Sequence, residues 1–132
     1  MFNIFKKGKE FNNLAKSFNG VYVMIQDIIP KIQRNPSREE FAESIFAMAY
    51  IARKGIDDRI ETENISMDAK IIVPTINRGF ITVAYAYNQT VGKLAGIAEE
   101  LDLGDEMDEI MSKGNAFRQL EKTLPKEILD NI

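Results

Sequence analysis

Carboxylates are the one reactive group this sequence supplies in quantity, and they fall into three sets. Glu39, Glu40 and Glu43 form a Glu-Glu-x-x-Glu pattern, Glu99 and Asp102 form Glu-x-x-Asp, and a denser acidic run extends from Asp102 to Glu109. Residues three and four apart share a helix face. Either of the first two sets could therefore gather hard oxygen ligands around Mg²⁺, which takes octahedral oxygen coordination and bridges phosphates. The third set lacks the Asp-x-Asp-x-Asp-Gly order and the distal Glu of a calcium loop.

Other catalytic chemistry has no residues to work with. The chain contains no histidine and no cysteine. That removes triads using His, Glu-x-x-His di-iron sites, His-ligated zinc, thiolate metal sites and disulfides. Ser37, Ser44, Ser66 and Ser112 have no imidazole to activate them, and no Gly-x-Ser-x-Gly turn is present. No glycine-rich loop ends in Gly-Lys-Ser/Thr.

The Glu39-Glu40-x-x-Glu43 spacing resembles half the signature of the all-α nucleotide pyrophosphohydrolases. Those enzymes hold Mg²⁺ between a Glu-Glu-x-x-Glu helix and a Glu-x-x-Asp on a following helix. The resemblance covers five residues. It implies a divalent-metal-dependent nucleotide-processing enzyme, with Glu39, Glu40, Glu43, Glu99 and Asp102 on the metal and Lys31, Arg34 or Arg38 on phosphate. Asp58-x-x-Glu61 has the order reversed and lies beyond the far end of the helix that carries Glu43. Glu99-x-x-Asp102 has the right order, but reaches Glu39 only if its helix runs antiparallel to that one.

Bulk properties narrow the remaining classes. The 132 residues are 45% hydrophobic and 28% charged, enough for a single domain with its own core. Net charge is −3 and the pI about 5.1, which argues against nucleic-acid binding. Charge is uneven along the chain. Lys6, Lys7, Lys9 and Lys16 outweigh Glu10 near the start, whereas residues 99–109 carry seven acidic residues and no basic one. Phe2, Ile4 and Phe5 beside those lysines give residues 1–9 the makings of an anionic membrane contact, set against a start that simply tucks onto the first helix. No apolar run approaches the roughly 20 residues that span a bilayer, and the lack of cysteine fits a reducing compartment, so a cytoplasmic location is expected.

The elements that would position these residues all read as helices. Ser44 to Ala52 is apolar or aromatic around the whole wheel after Ser44, which predicts a central rod wrapped by protein. Its helix should run from Arg38 to Lys54, capped by Ser37 with Glu40 and ended by Gly55 at C′. A first helix is expected from about Lys9, with Phe11, Leu14, Phe18, Val21, Ile25, Ile28 and Ile32 alternating spacings of three and four, and a kink at Pro30. Ile56 to Glu63 reads as a short helix or continuation, and Ser66 as the cap of a short helix over Met67 to Val73 that Pro74 stops, with an edge strand over Ala69 to Ile76 as the alternative. The third long helix, about Thr75 to Leu101, has a core face from Ile76 through Phe80, Val83 and Tyr87 to Leu94 and Ala98. It also has a second stripe of Ile81, Tyr85, Asn88, Gly92 and Gly96. Short helices over Asp105 to Met111 and Ala116 to Leu124, and a last turn in which Ile128, Leu129 and Ile132 pack back, complete the chain.

The expected fold is all-α, a compact helical bundle of three long helices plus short C-terminal helices. Residues 1–8 form a flexible or surface-associated N-terminus and 9–132 a single bundle domain. The expected function is a non-catalytic interaction module that self-associates as a homodimer through Ile81, Tyr85, Gly92 and Gly96. Gly92-x-x-x-Gly96 permits close approach by another helix, either from the same chain or from a second copy. The acidic 99–109 surface could meet another protein. No cofactor is expected, with Mg²⁺ required only on the enzymatic reading.

Overall fold

Heptad-like spacing of apolar residues makes the first helix, α1, the longest in the chain, at Phe2–Gln33. The computed structural model describes residues 2–33, 37–63, 65–68 and 70–123, and among these the chain forms five helices and no strand. α1 is helical from Phe2 rather than from Lys9, so residues 2–8 are its first turns, and Gly8 packs against Leu101. Pro30 lies inside α1. Phe11, Leu14, Phe18, Val21, Ile25 and Ile28 are all buried, as their spacing requires.

The second helix, α2, is Arg38–Gly55. The Ser37 hydroxyl accepts from the Glu40 backbone N–H at 3.2 Å and so satisfies one of the free donors of the first turn. Gly55 does not terminate α2 through a left-handed turn; the cap is Ile56, whose N–H bonds to the Ala52 carbonyl. Packing explains the glycine instead. A Cβ at Gly55 would fall on the Ser17 side chain of α1. α2 is also not wrapped on all sides. Phe41, Ala42, Ile45, Met48, Ala49 and Ala52 are buried, whereas Phe46 and Tyr50 are 44% and 47% exposed. The Lys54 ammonium sits over the Tyr50 ring at 4.7 Å.

Residues 56–71 form neither of the short helices expected there; the described residues make turns and irregular backbone. The Arg53 guanidinium donates to the Thr62 hydroxyl at 3.4 Å, and Ile60 and Ile65 are buried, so this segment is pinned along the bundle. The third long helix, α3, is Ile72–Leu101. Pro74 falls in its first turn, where a missing N–H costs no helical bond, and so it opens a helix rather than stopping one. Asp102 caps α3 in the left-handed region, φ 56°, and its N–H bonds to the Ala98 carbonyl.

Two short helices follow, α4 at Gly104–Ser112 and α5 at Ala116–Thr123. α1 packs against α2, α3 and α5, and α4 packs on α3. At mid-height Phe18 and Tyr87 stack with centroids 4.1 Å apart, and the Tyr87 hydroxyl donates to the Lys113 carbonyl at 2.6 Å. Burial raises the pKa of that phenol, with a smaller contribution from Tyr22. The last turn expected around Ile128, Leu129 and Ile132 lies outside the described residues.

Candidate self-association face

α3 buries one side of its cylinder and leaves the other open. Ile72, Ile76, Phe80, Val83, Tyr87, Leu94 and Ala98 line the core side. On the far side Ile81 is 47% and Tyr85 65% exposed, and Asn88, Gly92 and Gly96 are exposed with them. A Cβ built on Gly92 or Gly96 meets no atom of the described residues within 4 Å. Among those residues the glycine pair is therefore not a close-packing device. Between Ile81 and Gly96 the sequence holds one charged residue, Lys93. Arg78 and Glu99 stand exposed at the two ends of this stretch.

A groove of about 330 Å³ runs beside the upper part of the face, lined by Arg59, Glu61, Ile65, Arg78, Gly79, Ile81 and Thr82. It exists because the 56–71 segment returns along α3, so close that a Cβ at Gly79 would lie 3.0 Å from both Ile45 and Ile65. Arg59 is fixed at its edge by a bidentate bond to Asp57, with Nε to Oδ1 at 3.0 Å and Nη2 to Oδ2 at 2.9 Å. The Arg59 side chain and backbone N–H hold the Asp57 pKa down to about 2.

No known family, curated protein or solved structure matches this chain. Its surfaces must therefore be read from their own geometry.

The five carboxylates of the enzymatic reading do not converge. α2 and α3 run parallel, because the 56–71 segment returns along the bundle before α3 begins: Gly79 abuts Ile45, Gly55 abuts Ser17, and Leu101 reaches Gly8. Gly79 therefore marks the level of Glu43, and Glu99 lies twenty residues further along α3, about 30 Å at 1.5 Å per residue. The antiparallel arrangement needed to bring Glu99 and Asp102 to Glu39, Glu40 and Glu43 is absent. Among the described residues no group of three or more acidic side chains is placed to hold a metal ion. Lys31 bonds Asp27 on its own helix, 3.3 Å away, and it is Lys7 that pairs with Glu100 at the end of α3. Asp102 has a structural role as the left-handed cap.

The start of α1 makes a second exposed apolar corner. Phe5 is 75% exposed and shares a shallow groove with Ile4, Gly8, Lys9, Leu101 and Leu103. The Lys7–Glu100 pair places the acidic end of α3 beside it, which offsets the lysines that would attract anionic headgroups. Among the described residues no helix is long and apolar enough to cross a membrane.

Ile81, Tyr85, Gly92 and Gly96, grouped by their spacing in the sequence, lie exposed on one face. Spacing assigns no role to Arg78 and puts Glu99 in the metal set rather than on this face. The missed signal was the charge-poor interval between them, readable once the face is known to be open.

Proposed function

We propose that this protein is a small, non-catalytic helical interaction module of the cytoplasm that self-associates through the outer face of α3. One observation carries the reading. Ile81 and Tyr85 are exposed in line with two glycines that none of the described residues covers, on a face with a single charge over about 22 Å of helix. Tyrosine and isoleucine held on a rigid helix suit a contact surface, since little conformational freedom is lost when they are covered. The acidic 99–109 surface is a proposed second contact, fitted to a basic partner, because Asp102, Asp105, Glu106, Asp108 and Glu109 are all exposed there.

Sedimentation equilibrium from micromolar to millimolar concentration tests the reading. A concentration-dependent rise in mass toward twice 15.0 kDa is expected. A protein that stays monomeric across that range overturns it.

A further inference from the structure

The exposed face of α3 is complementary to its own reverse. Large and small residues and the two flanking charges pair off about a midpoint between Asn88 and Gln89. Tyr85 and Gly92 are equidistant from it, as are Ile81 and Gly96, and as are Arg78 and Glu99. We propose that two copies of the chain pair through α3 in antiparallel register about a two-fold axis at Asn88–Gln89. Tyr85 then lies over Gly92 of the second copy, Ile81 over its Gly96, and Arg78 against its Glu99. This rests on the self-association reading and adds the orientation, register and residue pairs.

Two observations select a second copy as the occupant, and a two-fold axis makes each of them count twice. The pairing is sterically complementary. Two large side chains meet two positions with no Cβ and no described atom within 4 Å of where one would stand, so the helices approach more closely than the usual 8–10 Å. It is also electrostatically complementary. Glu99 stands exposed at the end of α3 that already carries partial negative charge, an unfavourable place for a carboxylate. Reversal of the partner brings Arg78 to it and sets the two helix dipoles antiparallel, each negative end beside the other's positive end. A single helix face covers less than the roughly 800 Å² per partner of a standard stable complex. The dimer is accordingly expected to exchange with monomer at micromolar or higher concentration.

Swaps of size and charge across the axis test the register, with sedimentation equilibrium as the readout and circular dichroism checking helix content. All four positions are exposed, so the protomer fold tolerates the changes. Gly92→Tyr sets tyrosine against tyrosine and should abolish the dimer. Adding Tyr85→Gly to the same chain restores a large residue over a small one and should restore it. Arg78→Glu and Glu99→Arg should each weaken self-association on the order of tenfold, since every change occurs twice in the dimer. An equimolar mixture of those two variants should form heterodimers, because both ion pairs are regenerated. If the wild type dimerises but the size swap fails to restore pairing, or the charge variants do not combine, the register is wrong while self-association stands. A wild type that remains monomeric to millimolar concentration overturns both.

Discussion

Adding a methyl group at Gly92 and Gly96 should drive protomer stability and self-association in opposite directions. Glycine inside a helix is about 1 kcal/mol less favourable than alanine, because more backbone freedom is lost on folding. At both positions the new Cβ meets no atom of the described residues within 4 Å, so none of them imposes a steric cost on that gain. The double variant Gly92→Ala/Gly96→Ala is therefore expected to be more stable by about 2 kcal/mol. For a chain of this size that is a rise in Tm of roughly 6–8 °C. The measurement is thermal unfolding by circular dichroism at low micromolar concentration, where protomers are mostly separate. In the proposed dimer the same methyl groups lie under Tyr85 and Ile81 of the second copy, so the sedimentation Kd should rise by tenfold or more. A fall in the dilute Tm would show that these positions are not open helix surface. A raised Tm with an unchanged Kd would remove the glycines from the contact.

Other perturbations probe the scaffold. Gly55→Ala forces α2 away from Ser17 and should destabilise the fold by about 1–3 kcal/mol in urea titration, with partial recovery when Ser17→Gly is added. Tyr87→Phe keeps the stack on Phe18 but removes one donor from the Lys113 carbonyl, which retains the Ala116 N–H at 3.2 Å, for a loss of about 1 kcal/mol. The Asp57–Arg59 pair lowers the folded-state pKa of the carboxyl. Its contribution to stability is present above the ordinary value of 3.8 and is lost as pH falls through about 2. Arg59→Gln should raise the Asp57 pKa seen by NMR titration and flatten that part of the acid-unfolding profile. Mg²⁺ or Mn²⁺ with nucleotides should leave Tm unmoved, since Glu39, Glu43 and Glu99 sit at different levels of the bundle; a concentration-dependent rise would restore the enzymatic reading.

The all-α architecture was legible in the sequence because apolar periodicity and capping residues report directly on helices. The spacing of Phe11 through Ile28 and of Ile76 through Ala98 placed the core faces of α1 and α3, and Ser37 marked the start of α2. Orientation was not legible. Periodicity says which face is buried and nothing about whether neighbouring helices run parallel, and that depends on the path of residues 56–71, where no regular pattern exists. The error at Glu99 and Asp102 follows from this alone. Glycine and proline were ambiguous for a related reason. Gly55 serves a contact with Ser17 that is distant in sequence, and Pro74 suits the first turn of a helix as well as the end of one. The apolar wheel of Ser44 to Ala52 overstated burial because Phe46 and Tyr50 lie on the side no helix covers.

The parallel course of α2 and α3 also sets an order of events during synthesis. The first turns of α1 find their cover at Leu101 and Leu103, and Lys7 finds its counter-charge at Glu100. These turns of α1 are thus made well before the stretch of α3 they lie against. A nascent chain halted after α2 would lack Leu101, Leu103 and Glu100, and would leave Gly8 without its packing contact and Lys7 without its counter-charge.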